Sequence, residues 1–140
     1  MTNREKRRAR GHAYLMLYQW DISSLEPEEI PPLYWEETEE SSPEVKRLAE
    51  ELFFKTLKNL EQVDKAIESH LKKGWTISRL LPVDRSILRV ATYEILNENI
   101  SPAEAVINDA VEFAKLYGED EKSPAFINAL LDRVREDATK

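Results

Sequence analysis

Apolar side chains recur every three or four residues along most of this 140-residue chain. In the first segment, the residues that would share one face of a helix are Ala9, Ala13, Met16, Leu17 and Trp20. Further segments show the same spacing, and none shows the strict alternation that indicates a half-buried strand. The pattern predicts an all-α fold of six or seven helices, and the length is that of a single domain spanning residues 1–140.

Proline, serine and glycine positions predict where the helices begin and end. Ser42-Pro43 and Ser123-Pro124 suit helix starts, because serine caps free backbone N–H groups and proline fits the first turn. The stretch from Ser101 to Glu104 predicts a capping box, and Gly74 predicts a left-handed turn after a helix. The predicted helices cover approximately residues 5–22, 43–59, 60–73, 82–97, 102–118 and 123–134.

An acidic, proline-containing segment separates the first two predicted helices. Residues 21–45 hold nine Asp and Glu residues and no Lys, Arg or His. Pro27, Pro31 and Pro32 lie in the same stretch, and proline in a helix interior removes a backbone hydrogen bond. The composition predicts a mostly irregular loop over residues 23–42, with one short turn near residues 32–37.

The residue types that most catalytic and metal sites require are scarce. Three glycines leave no phosphate-binding loop or nucleophile elbow, and the absence of cysteine excludes thiol catalysis, disulfides and zinc-finger spacing. The only histidines, His12 and His70, are far apart in the sequence. We therefore expect neither an enzyme nor a metal or cofactor site. No apolar run is long enough for a membrane span or a signal peptide, which predicts a cytoplasmic protein.

Positive charge is concentrated at the start of an otherwise acidic chain. The formal net charge is −7, yet the first ten residues hold five Arg or Lys and one Glu. These ten residues therefore carry +4, which leaves −11 for the rest of the chain. Such a chain does not coat nucleic acid in general, because its body repels phosphate, but it can bind nucleic acid locally through its basic end.

Cations and aromatic rings alternate on the side of the first helix opposite its apolar face. This stripe comprises Arg4, Arg7, Gly11, Tyr14 and Tyr18, with Lys6 and Arg10 near its edge. Single-stranded nucleic acid is bound by this combination, because cations meet phosphates while bases stack on rings. The alternative is that the tyrosines pack against a neighbouring helix and that the glycine has no role in binding.

Several sequence runs, each weak alone, become specific for one protein family when they occur together in one order and spacing. They are Arg7-Arg8-Ala9-Arg10 with Ala13, Leu17-Tyr18 and Trp20-Asp21; Trp75, Ile77 and Arg79-Leu80; residues 83–96; Pro102, residues 106–112, Lys115 and Tyr117-Gly118; and residues 126–132. In these runs the chain resembles the NusB family of bacterial transcription antitermination factors along nearly its whole length. Two positions depart from the family pattern, since Asp109 stands where Glu is usual and Ala129 where Gly is usual.

The resemblance implies an all-α fold of two small packed helical bundles, without catalysis. It implies binding to boxA, a single-stranded element in the leader of ribosomal RNA transcripts, together with NusE, a small-subunit ribosomal protein. With RNA polymerase and other Nus factors, this pair suppresses premature termination of ribosomal RNA synthesis. An acidic body suits a basic ribosomal partner, while the basic end suits RNA.

The resemblance also assigns roles to individual residues. The arginine-rich start supplies phosphate contacts, Lys122 and Phe126 match a second RNA-contacting patch, Tyr18 matches a position near both RNA and NusE, and Asp84 matches an acidic position that faces NusE. With the stripe included, the candidate RNA-binding residues are Arg4, Lys6, Arg7, Arg8, Arg10, Tyr14, Tyr18, Lys122 and Phe126. The candidate NusE contacts are Tyr18 and Asp84.

Three alternatives remain open at the level of sequence. The same helical domain resembles the N-terminal appendage of a ribosomal RNA cytosine methyltransferase, although that enzyme needs a further domain with a cysteine nucleophile. The chain could instead be a purely protein-binding helical scaffold whose basic end is idle. It could also self-associate as a homodimer that covers the basic face.

Overall fold

The computed structural model describes residues 1–139, which form seven α-helices and no strand. The helices are α1 (Asn3–Ile22), α2 (Ile30–Glu36), α3 (Pro43–Lys58), α4 (Leu60–Glu68), α5 (Pro82–Asn97), α6 (Ala103–Tyr117) and α7 (Ser123–Ala138). Two short 3-10 helices, Pro27–Glu29 and Ile77–Arg79, lie in the connections before α2 and α5. The predicted all-α fold is confirmed.

Helix α5 is the centre of the packing. Helices α1 and α3 pack against each other and against α5, while α6 and α7 also pack against each other and against α5. The buried apolar side chains of all seven helices form one continuous cluster. Because α5 has neighbours on several sides, every residue from Ser86 to Glu94 is buried, including the polar Ser86, Arg89, Thr92 and Glu94.

The apolar face predicted for α1 lies in this core. Ala9, Ala13, Met16 and Leu17 have no exposed surface, and Trp20 is half-buried. Burial of a side chain the size of leucine or methionine contributes about 1.5–3 kcal/mol. The apolar face therefore fixes which side of α1 turns inward.

Several predicted boundaries are corrected by the structure. The segment 23–42 is not mostly loop, because Pro27–Glu29 and Ile30–Glu36 are helical and Ile30 is fully buried. Ser101 does not form a capping box, since α6 begins after Pro102 without a side-chain cap. Helix α4 ends at Glu68, several residues before the predicted end, although Gly74 adopts the expected left-handed conformation with a φ of 89°.

Candidate nucleic-acid interface

The N-terminus of α1 is closed by a capping box, whose signature of a threonine followed three positions later by a glutamate is present at Thr2 and Glu5. The backbone N–H of Glu5 donates to the Thr2 hydroxyl, and the backbone N–H of Thr2 donates to the Glu5 carboxylate. These two bonds satisfy N–H groups that lack partners within the helix. The helix is therefore ordered from Asn3, and Arg4, Lys6 and Arg7 project from a fixed backbone.

Much of the predicted stripe packs against α6 instead of facing solvent. Tyr14 is 2% exposed, and its ring meets the edge of Phe113 with 5.0 Å between ring centroids. Gly11 faces the same ring, because a Cβ atom there would lie 3.3 Å from Phe113. The assignment of Tyr14 to an exposed binding stripe is therefore wrong, and packing against a neighbouring helix is the correct interpretation for Tyr14.

Arg10 is buried as well. Its Nη2 donates to Glu94 Oε2 at 2.6 Å, its Nη1 donates to Asp109 Oδ2 at 2.8 Å, and its side chain is 3% exposed. The placement of Arg10 near the exposed edge of the helix is wrong, because two carboxylates from α5 and α6 attract the guanidinium into the interior. As placed here, Arg10 joins three helices and does not face a surface ligand.

Arg7 shares a carboxylate with Arg10 yet remains open to solvent. Arg7 Nε donates to Asp109 Oδ1 at 2.9 Å, while 58% of the Arg7 side chain is exposed. This bond occupies only the Nε–H of the guanidinium, and no hydrogen bond within residues 1–139 is made by its two terminal nitrogens. A guanidinium held in this way is oriented before a phosphate arrives.

The neighbouring cations differ in whether they are already paired with other groups of the protein. Arg4 is exposed and forms no ion pair with any of residues 1–139, and it lines one shallow cavity with Arg7. Lys6 is half-buried and its Nζ donates to the backbone oxygen of Ile100 at 3.2 Å. Arg8, by contrast, is paired with Glu40, which lies in the connection between α2 and α3.

His12 lies beside this pair, one helical turn after Arg8. A carboxylate only accepts hydrogen bonds, so Nε2 of His12 donates to Glu40 at 3.0 Å. The other ring nitrogen, Nδ1, lies 2.6 Å from the hydroxyl of Tyr34. Burial lowers the pKa of His12, although the bond to Glu40 opposes this shift. In the neutral ring, Nδ1 accepts a hydrogen bond from the Tyr34 hydroxyl. His12 therefore links α1, α2 and the acidic connection.

Lys122 and Phe126 lie in a separate cavity of about 700 Å³ at the start of α7. Three further residues that were not predicted from the sequence to belong to the site also line it: Lys72, Trp75 and Arg79. Arg79 stacks over the ring of Trp75, with 4.9 Å between the guanidinium carbon and the ring centroid. Trp75 is 44% exposed. Cations thus lie together here with one exposed ring, Trp75, and one half-buried ring, Phe126, the combination that was expected along α1.

Asp84 lines the same cavity but does not lie at the protein surface. It is 5% exposed, and Oδ2 accepts a hydrogen bond from the Ser123 hydroxyl at 3.0 Å. Burial raises the pKa of Asp84, since the bond from Ser123 only partly offsets the loss of hydration. The expectation that Asp84 presents an exposed carboxylate to a partner is corrected: the exposed acids of this region are Glu119, Asp120 and Glu121.

Tyr18 is half-buried near the C-terminal end of α1 and lines neither the Arg7–Arg8 cavity nor the Trp75 cavity.

Among residues 1–139 no group of three His, Asp or Glu side chains is placed to hold a metal ion. No helix in that part of the chain is both long enough and apolar enough to cross a membrane.

Comparison with known proteins identifies the family. The NusB family model matches residues 7–136. The chain belongs to the NusB family. The transcription antitermination protein NusB of Bacillus pumilus is 36% identical over 133 residues, which is 95% of this chain and 96% of that protein. The NusB protein of Anaeromyxobacter dehalogenans is 38% identical over 134 residues, covering 96% and 92% of the two chains. The predicted membership of the NusB family, whose relatives here are transcription antitermination proteins, is confirmed.

Solved NusB structures share the fold over almost their whole length. NusB of T. maritima has a TM-score of 0.86 at 34% identity, covering 96% of this chain and 93% of that one. A crystal structure of antitermination factors NusB and NusE in complex with dsRNA contains a chain with a TM-score of 0.88 at 30% identity. That match covers 98% of this chain and 99% of the other.

Proposed function

We propose that this NusB-family chain binds the boxA element of nascent ribosomal RNA leader transcripts together with NusE. In this role it joins RNA polymerase and other Nus factors in the cytoplasm and supports synthesis of ribosomal RNA. The observation that carries the proposal is the pair Arg4 and Arg7 at the capped start of α1. They are exposed cations on an acidic protein, and Arg7 has its terminal nitrogens open to solvent.

The proposed RNA path uses two surfaces with different chemistry. At the start of α1, Arg4, Lys6 and Arg7 contact phosphates, and Arg8 contributes only when it leaves Glu40. At the start of α7, Phe126 and Trp75 stack on unpaired bases while Lys122 and Arg79 neutralise the backbone. Base stacking on aromatic side chains contributes about 1–3 kcal/mol per base, so the stacking at the second surface supplies affinity that depends little on salt, unlike the contacts of Lys122 and Arg79.

The proposed NusE surface combines Tyr18 with the acidic region around Asp84. Because Asp84 is buried, we assign direct contact with a basic partner to Glu119 and Asp120, whose charges act on Asp84 and raise its pKa further. Asp84 then contributes through its hydrogen bond to Ser123, which fixes the start of α7. The solved complex of NusB, NusE and RNA supports a joint surface for protein and nucleic acid.

Fluorescence anisotropy tests the proposed function. Labelled boxA-like RNA is titrated with the chain alone and with purified NusE, beside a scrambled RNA and a duplex of the same length. We expect preferential binding of the boxA sequence, tightening by NusE, and loss of affinity as salt rises. Equal affinity for all RNAs, or no binding with NusE present, would exclude this function and leave a protein-binding scaffold. The mass of the free chain in solution distinguishes a monomer from a homodimer.

A further inference from the structure

We propose that Glu40 is an internal competitor of RNA: it occupies Arg8 as a phosphate would, so that the basic end binds RNA with one cation fewer than its sequence provides. The inference rests on the proposed function, since it concerns the same RNA-binding site. It concerns a contact between two elements, the first helix and the acidic connection, and assigns that connection a role in setting RNA affinity.

The contact between Arg8 and Glu40 engages one whole edge of the guanidinium. Arg8 Nε donates to Glu40 Oε1 at 3.0 Å, and Arg8 Nη2 donates to Glu40 Oε2 at 3.2 Å. Two parallel bonds from one arginine are also the arrangement in which arginine holds a phosphate. A phosphate that used this edge of Arg8 would first have to displace the carboxylate.

Glu40 is held in place independently of Arg8. Its Oε1 also accepts from Nε2 of His12 at 3.0 Å, and its Oε2 accepts from the backbone N–H of Ser42 at 3.2 Å. Its side chain is only 6% exposed. Two hydrogen bonds that do not involve Arg8 therefore hold the carboxylate, so Glu40 stays in position whether or not Arg8 remains, and it competes as a pre-positioned anion.

Arg8 nevertheless remains within reach of a ligand. Its side chain is 44% exposed, and it lines one cavity of about 580 Å³ with Arg7, Gly11 and Glu39. The two neighbouring arginines therefore present a contrast. Asp109 engages only Nε of Arg7, whereas Glu40 engages Nε and a terminal nitrogen of Arg8. RNA meets an oriented cation at Arg7 and a largely neutralised one at Arg8.

Protonation does not release Arg8 under ordinary conditions. The hydrogen bond from Arg8, followed by those from His12 and Ser42, lowers the pKa of Glu40 to about 2 against the burial that opposes it. The charged groups that face Glu40 are Arg8 and, when protonated, His12. Glu40 therefore remains an anion at neutral pH, and competition persists in every condition used for RNA binding.

The test compares Glu40→Gln with Glu39→Gln. Both substitutions remove one negative charge from the same connection, but Glu39 is exposed and forms no ion pair with any of residues 1–139. We expect Glu40→Gln to bind boxA-like RNA about five- to tenfold more tightly than the wild type at low salt. Arg8 then gains one charge-assisted contact with a phosphate, and part of that gain is lost in ordering the two groups. The slope of log affinity against log salt concentration (the salt slope) should steepen by about 0.7, which is the value for one further neutralised phosphate on a single strand. Glu39→Gln should change affinity by less than twofold.

A double-mutant cycle connects the gain to Arg8. Arg8→Gln should remove the gain of Glu40→Gln, and by itself should weaken binding less than Arg7→Gln does. If Glu40→Gln does not fold, this single-variant comparison still tests the inference, because Arg8→Gln weakening binding as much as Arg7→Gln would contradict it. Equal gains from Glu40→Gln and Glu39→Gln, or a gain that survives Arg8→Gln, would overturn the inference. Failure of the wild-type chain to bind RNA would instead overturn the proposed function, so the two failures are distinguishable.

Discussion

Arg10 and Glu94 form an ion pair that is buried on both sides, with 2.6 Å between Nη2 and Oε2 and side-chain exposures of 3% and 2%. Removal of one partner from a buried pair costs about 3–5 kcal/mol when the other charge is left uncompensated, which is an upper bound here because Asp109 still pairs with Arg10. We therefore expect Glu94→Gln to lower the free energy of unfolding substantially, which urea denaturation measures. A loss below about 1 kcal/mol, the level of a surface ion pair, would contradict this account.

The same pair determines how α1 can be probed. Arg10→Glu would place a third carboxylate beside Glu94 and Asp109, so loss of RNA binding in that variant would report loss of the fold. Arg7 and Arg4 are the appropriate positions, because their side chains are exposed and their removal leaves the buried pair intact.

Gly11 supports a second prediction about the contact between α1 and α6. A Cβ atom at this position would lie 3.3 Å from Phe113, so a large side chain has no room without moving that ring. We expect Gly11→Leu to lower the free energy of unfolding by about 1–3 kcal/mol, the usual range for overpacking, despite the better helix propensity of leucine. Thermal denaturation of Gly11→Leu, with Gly11→Ala as the comparison, measures this loss. Stability of the leucine variant equal to or higher than that of the wild type would refute the prediction.

Glu40 makes a stability contribution that depends on pH. The folded-state pKa of Glu40 is lowered to about 2, from a usual value near 4.5. A lowered pKa of an acid means that its contribution is complete above about pH 5 and disappears as the pH falls towards 2. The difference in unfolding free energy between wild type and Glu40→Gln should therefore be larger at pH 7 than at pH 2.5. Urea denaturation at both values measures this, with Glu39→Gln as control. A difference independent of pH would show that Glu40 acts through packing alone.

Trp75 provides a prediction for the second RNA surface. Its ring is exposed, stacked with Arg79 and close to Phe126. If one base stacks there, Trp75→Ala should weaken RNA binding by about 1–3 kcal/mol with little change in salt slope. Phe54→Ala, which removes an exposed ring on α3, is the matched control and should leave affinity unchanged. Equal effects from the two substitutions would remove this surface from the RNA path.

The sequence predicted the helices more reliably than the exposed face of α1. Apolar spacing located the core side of α1, because Ala9, Ala13 and Leu17 are indeed buried. The opposite face was predicted to be open, yet α6 covers part of it, and a wheel for one helix contains no information about a second neighbour. Tyr14 and Arg10 were misplaced for this reason: their partners, Phe113 and Glu94, lie 99 and 84 positions away, respectively, at positions the wheel does not include.

The acidic connection shows a related limit. Prolines predicted a loop, but proline fits the first turn of a helix, and Pro31 and Pro32 lie at the start of α2. Trp75 and Arg79 belong to the runs that carry the family resemblance, but no RNA contact was assigned to either, and their spacing of four is too common to indicate a site. Their association with Lys122 and Phe126 depends on how α7 packs on α5, a long-range arrangement.

The central claim is that Arg4 and Arg7 bind RNA phosphates. The most direct measurement is the salt dependence of boxA-like RNA affinity for Arg4→Ala/Arg7→Ala beside Arg47→Ala/Arg133→Ala. The second pair removes the same charge from exposed positions on α3 and α7. We predict that loss of Arg4 and Arg7 weakens binding and lowers the salt slope by about 1.4, the value for two single-strand phosphates, while the control pair changes neither much. Identical slopes and affinities for the two double variants would contradict the account.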